Sequence, residues 1–138
     1  MKPYLHWLCD AEYTRQLTAH ELRVLMPFLA RAVGMTPVGP TMVAFQGKRL
    51  WQRLWLKRSP GHPWGLSAVQ PVAESHCILH YMAPPHVAVD IFVCKQLDPV
   101  VAKRILLTHF QIRNIYSETT LERGPELAEM DGVIGTHH

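Results

Sequence analysis

The sequence predicts an α/β fold of the α+β sandwich kind, an antiparallel sheet with two helices packed on one face. Three observations predict it. Two segments, Thr18-Ala19-His20-Glu21 and Asp98-Pro99, carry helix-start chemistry and are followed by apolar residues at helical spacing. Between and around them, short apolar or alternating runs bounded by Pro and Gly read as strands. The 138 residues, 48% hydrophobic and 18% charged, suffice for one compact domain with its own core.

In chain order, residues 4–9 form a short apolar run with Trp7 and Leu8, a first strand. Thr18 and Glu21 then have capping-box spacing, in which the hydroxyl accepts the N3 amide and the Glu reaches back. Leu22, Leu25, Met26, Leu29 and Val33 follow with a helical period; Pro27 is expected to kink this helix and Gly34 to stop it. Residues 37–45 read as a second strand, entered through Pro and Gly. Residues 50–56 alternate, with Trp51, Arg53 and Trp55 on one face and Leu50, Leu54 and Leu56 on the other. Residues 57–65 are a loop by composition, and 66–72 a strand whose pairing Pro71 limits. Segments 75–81 and 86–94 form a hairpin around Ala83-Pro84-Pro85. Asp98 caps a second helix with Pro99 at its first position and Ala102, Ile105, Leu106 and Phe110 on one face. Residues 112–118 read as a last strand, and 125–138 as a loose tail. Strand-helix-strand occurs once in each half, with no long repeat.

Several function classes recede on composition. The three cysteines, Cys9, Cys77 and Cys94, are widely spaced with no CxxC pair, which fits reduced thiols in a cytoplasm rather than a disulfide framework or zinc knuckle. No apolar run approaches the roughly 20 residues of a membrane span, and His6, Asp10 and Glu12 interrupt the N-terminal stretch as no signal peptide would be. The net charge of +3 does not by itself call for nucleic acid. The Lys/Arg/Trp-rich residues 47–58 fit a strand edge or subunit contact better than a nucleic-acid groove. No HxxxH or HExxH places the nine histidines on one helix face, so no metal is expected. GxSxG is absent, which argues against a Ser-His-Asp hydrolase. Cys9 and Cys77 are expected to be small buried hydrophobes.

The hairpin carries the chemistry. It opens with Glu74-Ser75-His76 and holds His80 near the end of its first strand. With His80 opposite Val87, Cys77 faces Asp90 and Ser75 faces Phe92. Side chains directly paired share a face and diagonal ones lie within roughly 7–8 Å, so Ser75 and Cys94 become diagonal neighbours with Asp90 nearby. A slip of one residue would undo this arrangement. His76 alternates away from Ser75 and reads as a core histidine.

The run AESHCILH followed by VAVDIFVC resembles the bacterial and archaeal S-adenosylmethionine decarboxylase proenzymes, which are pyruvoyl-dependent. PWGLSAV looks like that family's Pro-x-Gly-Val-Ser-Gly approach, and GMTPVGPTMV and the late LERG are similar to it as well. The resemblance implies a self-processing decarboxylase of polyamine biosynthesis that cleaves itself between Glu74 and Ser75. Its cofactor is a pyruvoyl group made from Ser75, an electron sink for the departing carboxylate. His80 is implied as the processing base and Cys94 as the acid that returns a proton to the substrate carbon. The implied partners are a small-molecule substrate and a second copy, paired sheet to sheet into an α/β/β/α layering, with no nucleic acid and no membrane. Asp90 is either a substrate-amine partner or a cross-strand hydrogen-bond partner.

The sequence departs from the family where the nucleoside is recognised. Tyr81-Met82-Ala83-Pro84-Pro85 is one residue short, has Met82 in place of the aromatic residue and lacks the Glu; Gly61 and His62, rather than Phe, precede Pro63. Met82 then offers apolar contact, and Trp64 a substitute ring for stacking. This leaves L-arginine or L-ornithine as an alternative substrate to S-adenosylmethionine. A non-catalytic homologue that is never processed is a further alternative.

Overall fold

The computed structural model describes residues 3–45, 65–73, 75–94 and 96–125. The expected strand at 50–56, the basic aromatic segment 47–58, Trp64, Glu74 and residues 126–138 lie outside the described residues. Eight elements follow in order: β1 (Tyr4–Tyr13), α1 (Ala19–Ala32), β2 (Met42–Phe45), β3 (Leu66–Val72), β4 (Ser75–Tyr81), β5 (His86–Val93), α2 (Pro99–His109) and β6 (Ile112–Arg123). The strands form one antiparallel sheet in the order β2-β3-β4-β5-β1-β6, and the two helices pack on one of its faces. The expected architecture is the one found.

The local signals work as chemistry. The Thr18 hydroxyl accepts the Glu21 N–H at 3.1 Å, and the Glu21 carboxylate accepts the Thr18 N–H at 3.0 Å. Arg15 clamps that carboxylate through both guanidinium nitrogens at 2.9 Å. Helix α1 runs through Pro27, whose missing N–H leaves only the carbonyl of exposed Arg23 without its helical donor. It ends in a Schellman motif: Gly34 at φ 87° donates to the Arg31 carbonyl at 3.0 Å, and Met35 donates to the Ala30 carbonyl at 2.8 Å. The Asp98 side chain accepts the Val100 N–H at 2.9 Å and starts α2.

Strict alternation divides the sheet into two faces. Trp7, Cys9, Ala11 and Tyr13 of β1, Cys77, Leu79 and Tyr81 of β4, and Val87, Val89, Ile91 and Val93 of β5 are buried under the helices. They meet Leu22, Met26 and Leu29 of α1 and Ala102 and Leu106 of α2. The opposite face carries the half-buried His6, His76, Ile78, His80 and Asp90, and among the described residues neither helix covers it.

Three boundaries differ from the sequence reading. β1 continues to Tyr13 because Asp10 and Glu12 point to the uncovered face while Ala11 and Tyr13 stay in the core. β6 runs to Arg123 because it ladders along β1 as far as Tyr4↔Arg123; its exposed polar side chains hide that pairing from a pattern search. The second strand is only Met42–Phe45, with Pro37 making a single bridge to Val72. Residues 37–41 are held instead by Gln70, fully buried, whose amide donates to the Gly39 carbonyl at 3.0 Å and accepts the Thr41 hydroxyl at 2.5 Å. Pro71 does limit pairing, since the β2–β3 ladder stops at Met42↔Val69 while Pro71 still lies opposite His76 on the β4 side.

Candidate active site

The hairpin register corrects the sequence reading by one residue. His76 pairs with Phe92, Ile78 with Asp90, His80 with Ala88 and Tyr81 with Val87. Cys77 therefore lies opposite Ile91 rather than Asp90. The hydrophobic pattern favours it over the expected pairing: setting odd-numbered residues opposite odd-numbered ones keeps the apolar residues of both strands on the core face, which a one-residue slip would not. Ser75, at the first position of β4, and Cys94, just after β5, still share the open end of the hairpin, but alternation assigns them to opposite faces.

Two clusters occupy the uncovered face. At the open end, strands β4, β5 and β1 bring together His76, Asp90 and His6. His6 Nε2 lies 2.5 Å from Asp90 Oδ1, and His76 Nε2 lies 3.6 Å from the same oxygen. The Phe92 ring stands between the two imidazoles. It stacks on His76 with centroids 5.7 Å apart and meets His6 edge-on at 5.4 Å. The other nitrogen of His76, Nδ1, is 3.5 Å from the Ser75 hydroxyl. His76 is thus no core histidine; it links Ser75 to Asp90. The Arg123 guanidinium lies over the other side of this cluster, 5.5 Å from the Phe92 centroid.

Farther along β4, the Ser67 hydroxyl is hydrogen-bonded to His80 Nδ1 across the β3–β4 ladder. His80 borders a depression of about 350 Å³ with Leu8, Asp10, Ile78, Asp90 and Ser117. Five residues of strand rise, roughly 16 Å, separate His80 from Ser75 in the same chain. Met82 lies at the closed end of the hairpin, donating its N–H to the His86 carbonyl at 3.0 Å, and so is far from Ser75. Glu12, near that end of β1, is engaged by Arg113 at 3.0 Å.

The thiols separate cleanly. Cys9 and Cys77 are buried, and desolvation, with nearby carboxylates adding to it, pushes each thiol up to about 12. They are small core side chains, as expected. Cys94 is exposed. Sequence reasoning missed His6 and Ser67. Both lie outside the hairpin, and both reach it only because β1 pairs with β5 and β3 pairs with β4.

The sequence pattern of the S-adenosylmethionine decarboxylase family matches residues 6–124. This chain belongs to that family. The match takes in both clusters, the Ser75 strand and Cys94. Among solved structures, the fold is similar to the adenosylmethionine decarboxylase from Aquifex aeolicus VF5, with a TM-score of 0.61 and 20% identity over 90% of this chain and 92% of that one. No curated protein matches it. Membership makes the chain a relative of decarboxylases, and no helix among the described residues is long and apolar enough to cross a membrane.

Proposed function

We propose that this chain is a self-processing, pyruvoyl-dependent decarboxylase of polyamine biosynthesis that acts on S-adenosylmethionine. The observation that carries the reading is the family match over 6–124 with Ser75 at the head of β4, where it pairs with Val72 of β3. In the first step the Ser75 Oγ attacks the Glu74 carbonyl carbon. The amide C–N bond breaks, and an ester and a free amine remain. Loss of the Ser75 α-proton to a base then expels the Glu74 carboxylate from Cβ. Water converts the resulting enamine at residue 75 to a ketone and releases ammonia. That ketone, once present, supplies the electron sink for decarboxylation.

This chain's residues fit the formation of the group. Ser75 is half-buried, and the imidazole of His76, tied to Asp90, meets its hydroxyl. His80 is held in one orientation by Ser67 but lies too far along the strand to serve its own Ser75. Ser75 heads its strand, and although alternation assigns it to the helix face its hydroxyl lies 3.5 Å from His76 Nδ1 of the uncovered face. His80 therefore serves the Ser75 of a second copy when two uncovered faces pack with their β4 strands antiparallel, so that each His80 end overlies the other Ser75 end. Two sheets packed this way stand about 10 Å apart, within the combined reach of side chains from both. Cys94, exposed at the same hairpin end as Ser75, is the proton donor to the substrate carbon.

Denaturing electrophoresis and mass spectrometry test the reading. Wild-type protein should split after Glu74 and give a C-terminal piece with a blocked N-terminus, whereas Ser75→Ala stays whole. Co-expressed Ser75→Ala and His80→Ala chains test the pairing, because only the mixed dimer joins an intact serine to an intact histidine. Intact wild-type protein that still releases carbon dioxide would sink the mechanism. A second reading, L-arginine or L-ornithine as substrate, is favoured by one feature: among the described residues, the depression beside His80 is lined by Asp10 and Asp90 and by no Phe, Tyr or Trp. Carbon dioxide release from the three carboxyl-labelled substrates decides between them.

A further inference from the structure

We propose that His6, His76 and Asp90 form a binding site for a divalent transition-metal ion, with Zn(II) as its best-suited occupant. Their ligand atoms, one from each residue, all lie within 4.8 Å of one another. Two imidazoles and a carboxylate are the donor set that such ions select over Mg(II) or Ca(II), and three protein ligands leave the fourth position to water. Neither the decarboxylase reading nor self-cleavage is needed for the site, since it rests on the sheet alone.

The geometry is close to what an ion requires. Donor atoms at about 2.0–2.2 Å around a tetrahedral ion are separated by roughly 3.3–3.6 Å. The His76–Asp90 separation of 3.6 Å already fits, and the His6–Asp90 contact of 2.5 Å opens by about an ångström through side-chain rotation. The backbone holds the residues in register. His76 and His6 flank Phe92 on neighbouring strands, and Asp90 follows two residues away on the same face of the central strand. Phe92 fixes both ring planes, through the stack on His76 and the edge contact with His6. In the uncleaved chain His76 also has the outer contact common to metal-binding histidines, its second nitrogen facing a hydrogen-bonding group, here the Ser75 hydroxyl 3.5 Å away. The side chains of His6, His76 and Asp90 are 15%, 36% and 31% exposed, open enough for an ion to enter and sheltered enough to hold it.

Titration calorimetry with ZnCl2 and the visible absorption of Co(II)-loaded protein test the site on the full chain. Because the chain has nine histidines and its end can bind metal on its own, the readout is the difference between variants. Wild type should bind one more tight equivalent than Asp90→Asn or His6→Gln, and should show four-coordinate Co(II) absorption that both variants lack. Circular dichroism identifies any variant that fails to fold; His76→Gln then replaces it. Equal stoichiometry in wild type and folded variants, or a purely octahedral Co(II) spectrum in wild type, overturns the proposal.

Discussion

At the scale of single residues, the three cysteines show how position decides chemistry. Burial holds Cys9 and Cys77 at about 12, so at pH 8 both are thiols in the folded protein, while Cys94 faces solvent. Alkylation at pH 8 should therefore add one label to native protein, at Cys94, and three labels only after unfolding. Peptide mass mapping checks this, and labelling of Cys77 without denaturant would show that the core is open. The role proposed for Cys94 has its own test. Cys94→Ala should still cleave after Glu74 but lose turnover by about 10²–10⁴-fold, the usual contribution of one general acid. Turnover equal to wild type would remove Cys94 from the reaction. Ser75, His80 and Cys94 could be proposed from the sequence because they sit in one short run. His6 could not, since seventy residues separate it from His76 and only strand pairing brings them together.

At the scale of elements, local chemistry was legible and register was not. Helix starts and stops depend on residues a few positions apart, and Thr18, Glu21, Gly34 and Asp98 act as their types suggest. The hairpin register depends on whole faces. A reading that paired His80 with Val87 mixed polar with apolar positions, and the core's demand for Leu79 beside Val89 shifted it by one. Two predictions belong here. Gly34→Ala should destabilise the protein by about 1–2 kcal/mol, because Gly34 is left-handed at φ 87° and a Cβ there is strained even though space is open. The second concerns acid. The Arg15 guanidinium, with the Thr18 N–H, lowers the Glu21 carboxyl from its ordinary 4.5 to about 2. A depressed folded value means that the pair stabilises the protein above pH ~4.5 and that this stabilisation fades as pH falls toward 2. The pair is at the surface, where solvent screening keeps the effect small. Urea midpoints measured from pH 6 to pH 2.5 should fall more steeply for wild type than for Glu21→Gln. Parallel curves would show that the clamp contributes nothing.

At the scale of the whole molecule, strand order decides what the proposed self-cleavage would do. A cut after Glu74 leaves β1, α1, β2 and β3 on one fragment and β4, β5, α2 and β6 on the other. The sheet interleaves them. β1, from the first fragment, lies between β5 and β6 of the second, and β3 ladders along β4 from Ser67↔His80 to Val72↔Ser75. Trp7, at the centre of β1, is fully buried and donates its indole N–H to Glu118 of β6 at 3.2 Å. Neither fragment can leave without opening ladders on both sides of β1 and exposing that core. This interleaving was not legible in the sequence, which shows adjacent strands but not the insertion of the first between the last two. The cut should therefore release chain ends and no more. Cleaved wild-type protein should elute as one species in native buffer, separate into two fragments only in denaturant, and unfold in a single transition. Its Tm should rise with protein concentration more steeply than that of uncleaved Ser75→Ala, because refolding becomes a meeting of two chains rather than the closing of one. If the fragments part in native buffer, the sheet order is wrong; if the two proteins share one concentration dependence, the chain was never cut.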